Sequence, residues 1–213
     1  MCCSLCRLQD RDAFEKEVAY FENDSFDLNY LYGFYFRHGH KQDRLRTAKS
    51  YYTRAMEVKN ERSYLTHTSI AKVEHELVIV LMKLRDFKSA LNSAKVNYQN
   101  NHHNSYHIRA YYNCLIHSYG YKKEDLMELL DAMRQIGVLA NSQFVPTMQA
   151  QYTYYVDKDY FGCVRAFRQI FEKGLNEGKI YAADAFRDIC AERGSLQIYD
   201  EIVKGIDINE LDS

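Results

Sequence analysis

Residues 73–98 read VEHELVIVLMKLRDFKSALNSAKVNY and carry the clearest structural signal of the chain. Apolar residues recur at helical spacing up to the pair Asp86-Phe87, and a second helical stripe of small residues follows it. Residues 149–171, which read QAQYTYYVDKDYFGCVRAFRQIF, repeat this organisation with Asp159-Tyr160 at the turn. A repeated pair of amphipathic helices predicts an α-solenoid, an architecture that mostly serves binding.

Length and composition place the chain among globular all-α proteins. The 213 residues suffice for one large domain or for about five repeats of roughly 40 residues each. Hydrophobic residues make up 46% of the chain and charged residues 27%, which predicts a buried core. A single proline and nine glycines leave few signals for strands and turns. Because the net charge is −1, composition gives no general attraction to nucleic acid or to anionic membranes.

The cysteines and the apolar pattern indicate a reducing compartment. Cys114, Cys163 and Cys190 fall on apolar helix positions, and no spacing among the six cysteines resembles a disulfide framework. No run of about 18 apolar residues is present, and the N-terminus lacks the apolar core of a secretory signal. We therefore expect a soluble, cytoplasmic protein that does not enter a membrane.

Breaks in the hydrophobic pattern divide the chain into three parts. We expect an N-terminal helix within residues 1–25, a repeat domain over residues 26–205 and an acidic tail over residues 206–213. The repeat domain is divided into five helix hairpins, at about residues 26–60, 63–101, 105–137, 142–176 and 179–205.

Residues that favour helix ends predict several boundaries. The first helix of the second hairpin is expected to run from Ser63 to Leu84. Gly137 stands where a left-handed C-terminal cap is needed. Ser142 is a candidate N-cap, which puts Pro146 in the first turn of the next helix, where backbone N–H groups have no partner inside the helix.

The second helix of the first hairpin carries a packing stripe. Ala48, Tyr52 and Ala55 recur at i, i+4 and i+7, so that a neighbouring helix can approach closely. Together with Tyr32-Gly33 on the preceding helix and the Asp86-Phe87 turn, this stripe resembles the tetratricopeptide repeat family. In that family a Leu-Gly-like pair on the first helix accompanies a small-aromatic-small stripe on the second.

The resemblance implies a right-handed α-α superhelix, a tetratricopeptide-like solenoid whose concave groove binds a peptide or protein. The innermost positions of the first helices are then Tyr30, Phe34, Lys72, His75, Ile79, Asn113, His117, Met148 and Tyr152. A groove of this aromatic and aliphatic character suits an extended or helical apolar peptide. Glu76 stands where the family's chaperone-tail clamp has a cation, which disfavours chaperone tails. His75 and His117 are either ligand contacts or interior groups with satisfied hydrogen bonds.

Two further resemblances keep other functions open. The stretch from Tyr112 through Gly137 is similar to a pentatricopeptide repeat, which implies single-stranded RNA binding through Asn113 and Asn141. The run from His75 to Ile116 is similar to the helical C-terminal region of bacterial STAND-type sensor NTPases. That likeness implies a regulatory arm of a larger multidomain protein.

Candidate chemical sites are incomplete in the sequence. Cys2-Cys3-x2-Cys6 offers thiolates but no fourth ligand at a closing spacing, so no metal site is expected. His102, His103 and His107 lie among Asn, Ser and Tyr, which favours a solvated loop.

No nucleophile elbow, phosphate-binding glycine loop or HExxH motif occurs. The sequence thus predicts a scaffold or sensor without enzymatic activity, cofactor or metal. Its expected partner is a protein or peptide, with homo-oligomerisation or docking to a larger protein as a further expectation, and nucleic acid is disfavoured.

Overall fold

The chain is all-α, as the composition predicts. A computed structural model describes residues 10–37, 41–59, 69–173 and 176–203, and every regular element in these ranges is an α-helix. The helices are α1 Arg11–Val18, α2 Phe26–Arg37, α3 Gln42–Glu57, α4 Ile70–Lys83, α5 Phe87–Asn100, α6 Ser105–Ile116, α7 Lys123–Ile136, α8 Val138–Tyr155, α9 Tyr160–Lys173, α10 Asn176–Glu192 and α11 Leu196–Val203. None of these helices combines the length and the apolar character that crossing a membrane requires.

The chain divides into two compact units, residues 1–114 and residues 115–213. In the first unit α2 packs on α3 and α4, α3 packs on α4, and α4 packs on α5. In the second unit each of α7 to α10 packs on the helix that follows it, and α8 and α9 also contact the helix after next. Packing between helices that are close in sequence is compatible with an α-solenoid.

The packing stripe of α3 forms the centre of the first unit. Ala48, Tyr52 and Ala55 are fully buried, which confirms the stripe as a helix interface. Gly33 on α2 faces it so closely that a Cβ atom there would lie 2.6 Å from the ring atom Cδ1 of Tyr52. Tyr30 completes the contact, with its ring centroid 6.3 Å from that of Tyr52. The absence of a side chain at Gly33 therefore lets α2 and α3 approach.

In the part of the chain that the structure describes, four helices begin with the same kind of turn, a residue with left-handed backbone followed by Ser or Asp. The turns are Asp24-Ser25 before α2, Arg85-Asp86 before α5, Lys158-Asp159 before α9 and Gly194-Ser195 before α11, with φ between 60° and 65° at each first residue. The side chains of Ser25, Asp86 and Asp159 accept a hydrogen bond from the backbone N–H three residues on, at 3.2, 3.3 and 2.8 Å. These bonds satisfy donors that have no partner inside the helix.

Two predicted helix starts are wrong. Ser69 is extended (φ −126°, ψ 156°) and its hydroxyl accepts from the N–H of Lys72, so α4 begins at Ile70 and a helix cannot run on from Ser63. Ser63 itself lies outside the described residues, as do Cys2, Cys3, Cys6 and the acidic tail. Ser142 is not an N-cap, because α8 begins at Val138 and encloses both Ser142 and Pro146.

Gly137 explains why α8 begins early. Its φ of 147° and ψ of 169° form a conformation that is essentially restricted to glycine. Glycine is therefore required at the end of α7, as predicted, but in place of the expected left-handed cap it directs the chain straight into α8.

Candidate functional site

Buried polar side chains concentrate on three helices of the first unit. Nine polar or charged residues are buried among those that the structure describes, and seven of them lie on α2, α4 and α6. Burying a charged group costs free energy unless the group is paired. A concentration of buried polar and charged side chains therefore marks a candidate functional site. We call Arg37, Glu74, His75, Glu76, His107 and Arg109 the polar network.

Arg37 and Glu76 form a buried ion pair between α2 and α4. Arg37 Nη1 lies 2.9 Å from Glu76 Oε2, and the two side chains are 9% and 8% exposed. The guanidinium of Arg37 also lies over the ring of Phe34, 5.1 Å from its centroid. At this depth, removing either charge would leave the other poorly compensated. Glu76 thus has a structural partner inside the protein.

Glu74 and His107 link α4 to α6. Glu74 Oε2 lies 2.8 Å from His107 Nε2, and the side chain of His107 is 6% exposed. His107 lies in the first turn of α6, where Asn104 Oδ1 accepts from its backbone N–H at 3.4 Å. The expectation of a solvated loop is therefore wrong for His107, because the carboxylate comes from a distant segment of the chain.

The neighbouring histidines differ from His107. His102 and His103 are exposed, with ring centroids 4.1 Å apart. Within the described ranges, no group of three His, Cys, Asp or Glu side chains is arranged to hold a metal ion.

His75 is an interior group with a satisfied hydrogen bond. It is 2% exposed, and its Nδ1–H donates to the backbone carbonyl of Tyr106 on α6 at 3.1 Å. Burial lowers the pKa of His75 well below 6.5, and the nearby charges of Arg109 and Arg37 lower it further, against the opposing effect of the Tyr106 bond. The ring is therefore neutral near pH 7. The burial of His75 and its bond to the Tyr106 carbonyl favour the interpretation as an interior group.

The predicted groove residues do not form one accessible surface. Tyr30, Phe34, His75 and Met148 are 2%, 6%, 2% and 0% exposed, so these four belong to the interior. The side chains that remain partly exposed are Lys72, Ile79, Asn113, His117 and Tyr152. A stripe of large residues at helical spacing can face either a groove or a neighbouring helix, and sequence alone does not separate the two.

Some predicted residues are brought together in the first unit. Lys72 Nζ lies 5.5 Å from the centroid of the Tyr30 ring, which is a cation–π distance. Lys72, His75 and Ile79 lie on one stripe of α4. The centroid of the His75 ring lies 5.7 Å from that of the Tyr106 ring. Tyr106 is partly exposed and was not among the sequence candidates, because only the fold places it beside His75.

His117 and Tyr152 belong to the second unit. The ring of His117 packs edge-on against that of Tyr155, with centroids 4.6 Å apart, and burial lowers the pKa of His117. Tyr155 donates its hydroxyl to Glu192 Oε1 at 3.0 Å. Burial, and then the carboxylate of Glu192, raise the pKa of Tyr155. His117 thus packs within the helices of its own unit, and Asn141 lies within α8.

A shallow open depression runs along the outer side of α3. Its lining residues are Arg46, Lys49, Ser50, Thr53, Arg54 and Glu57. Each of the three cations has a carboxylate within 4.0 Å, since Arg46 faces Asp43, Lys49 faces Asp86 and Arg54 faces Asp24. This local neutralisation leaves little net charge to attract phosphate groups.

The buried cysteines have the properties of unreactive thiols. Cys114, Cys163 and Cys190 are buried and free, which confirms their placement on apolar helix positions. Burial raises the pKa of the Cys114 and Cys163 thiols to about 12. Thiols with such values stay protonated near pH 7 and are poor nucleophiles.

No family model, curated protein or solved structure matches the chain.

Proposed function

We propose that the chain is a non-enzymatic binding module, a right-handed tetratricopeptide-like solenoid of about five helix hairpins that binds a peptide or protein partner. The packing of helices on their near neighbours in sequence supports this arrangement. The four related turns support it as well, because a local structure that recurs along the chain is expected of repeated hairpins.

The observation that carries the proposal is a mixed, partly exposed surface on α4 and α6. We define the inner face as Lys72, Ile79, Tyr106 and Asn113. The two residues on each helix are seven positions apart, so each pair lies on one side of its helix. The hydrogen bond from His75 to the Tyr106 carbonyl joins the two helices at this place.

The chemistry of the inner face suits a peptide. The amide of Asn113 can bond a peptide backbone, Ile79 and the Tyr106 ring offer apolar contact area, and Lys72 can face an acidic group. Beneath them, the ion pairs of the polar network connect α2, α4 and α6. Preorganised side chains lose little conformational freedom on binding, which favours affinity.

The test begins with a peptide selected against the intact chain from a displayed random library. Ile79→Asp and Lys72→Glu are expected to weaken binding of that peptide at least tenfold, because both change the inner face. Lys88→Glu, on the exposed side of α5, is the matched control and is expected to leave affinity unchanged. Circular dichroism checks that each variant stays helical.

The assignment fails if both inner-face variants bind the peptide as tightly as the wild-type chain. The peptide-binding measurement is accompanied by a filter-binding assay with single-stranded RNA at low salt. RNA retention that is lost on Asn113→Ala would favour the pentatricopeptide-like alternative instead.

A further inference from the structure

His75 occupies a position in the first unit where an added proton would be poorly accommodated. The charged and titratable groups that face it are Arg37 from α2, and Arg109 and His107 from α6. On α4 itself, Lys72 lies one turn before His75 and is a further cation. The carboxylates adjacent in sequence, Glu74 and Glu76, already face His107 at 2.8 Å and Arg37 at 2.9 Å. A charge on His75 would therefore add a cation to an interior that already contains two guanidinium groups.

The same side chain forms part of the junction between α4 and α6. Two polar contacts are described there, from His75 Nδ1–H to the Tyr106 carbonyl and between Glu74 and His107. His75 is deeply buried, so solvent can stabilise its charged form only if the two helices separate. Protonation and local opening are thus coupled by the geometry.

We propose that His75 is an acid-sensitive lock, whose neutral form holds α4 against α6 and whose protonation opens this junction and with it the inner face. The part of this inference that concerns partner release rests on the proposed function. The opening itself does not, since it needs only the contacts within the first unit.

The direction and size of the effect follow from proton linkage. The pKa of His75 is lower in the folded chain than its ordinary value of 6.5, so the opened state binds more protons as the pH falls below 6.5. The junction is fully stable above that pH. Below it, the opening equilibrium increases by up to about tenfold per pH unit, until the folded-state pKa is reached.

Hydrogen exchange measured by mass spectrometry at about pH 7.5 and about pH 5.5 tests the lock, after correction for the intrinsic pH dependence of exchange. Peptides from α4 and α6 are expected to lose protection about tenfold at the lower pH. His75→Gln retains an amide donor for the Tyr106 carbonyl but cannot be charged, so its protection should be the same at both pH values. His102→Gln, at an exposed histidine, should behave like the wild-type chain.

Unchanged protection of the wild-type junction, or the same acid-induced loss in His75→Gln, would overturn the proposal. A second measurement applies if His75→Gln does not fold. NMR titration of the histidine ring protons in the wild-type chain should give His75 a pKa far below 6.5. A pKa at or above 6.5 would also overturn the proposal.

Binding of the selected peptide at both pH values completes the experiment. If acid opens the junction but peptide affinity is unchanged, His75 still acts as an acid-sensitive lock, and its proposed role in partner release is rejected. If no peptide binds the chain, the proposed function fails while the exchange result still decides the lock.

Discussion

Gly33→Ala tests the close contact of α2 with α3 in the first unit. The added methyl carbon would lie 2.6 Å from the Cδ1 and Cε1 atoms of Tyr52, whose ring is fully buried and therefore has little room to move. Overpacking of this kind costs about 1–3 kcal/mol, whereas the better helix propensity of alanine offsets about 0.8–1 kcal/mol. We expect the steric effect to dominate and the free energy of unfolding to fall by up to about 2 kcal/mol.

Urea unfolding followed by far-ultraviolet circular dichroism measures the change. The control is the same substitution in a Tyr52→Leu background, where a smaller side chain removes the clash and alanine should become stabilising. The difference between the two backgrounds isolates the contact between the two sites. If Gly33→Ala stabilises the wild-type chain by about 1 kcal/mol, as at an uncrowded helix position, the close approach of α2 and α3 is refuted.

Substitutions at four further positions test the polar network and the turns by urea unfolding. Glu76→Gln is expected to lower the free energy of unfolding by about 3–5 kcal/mol, because it removes the charge that faces the buried Arg37; a loss under about 1 kcal/mol would match an exposed pair instead. Arg85→Gly and Lys158→Gly should each raise it by about 1 kcal/mol, since left-handed backbone strains a residue with a Cβ, and destabilisation would contradict this. Asp86→Ala should lower it by about 1 kcal/mol through loss of the N-cap, whereas Asp86→Asn should keep most of the stability.

The local features of the fold could be predicted from the sequence. The turns at Asp86 and Asp159 can be predicted because the cap residue and the backbone N–H that donates to it lie only three positions apart. The buried stripe of α3 is readable because apolar spacing along one helix is a local property. Helix existence and most helix ends follow from such short-range signals.

Errors in helix ends arose where two local signals competed. Ser69 acts as the N-cap of α4, whereas the sequence also offered Ser63, where the helix was expected to start. Ser142 has the right chemistry for a cap, but Gly137 turns the chain so sharply that α8 starts before Ser142 is reached. In both cases the backbone conformation of one residue decides where the helix begins. Residue propensities show which residues can cap a helix, but they do not show which of several candidates does so.

The candidate site was the least predictable part, because its contacts join distant segments. Glu74 and His107 are 33 positions apart, and nothing in the residues around His107 indicates a carboxylate. His75 likewise binds a backbone carbonyl on another helix, an acceptor that every residue possesses. Long-range polar pairing leaves no periodic signal, so it becomes visible only when the helices are placed side by side.

The polar network supplies a directional constraint that apolar stripes alone do not. Alanine and aromatic side chains at helical spacing pack acceptably in more than one register, because hydrophobic contact is not directional. The pairs Arg37–Glu76 and Glu74–His107 are directional, and a shift of one helix by a single turn, about 5.4 Å, would separate the paired atoms beyond contact. In a low-dielectric interior such separation is heavily penalised. We therefore expect the network to fix the register of α2, α4 and α6. His75 then places a titratable group at the point where that register is held.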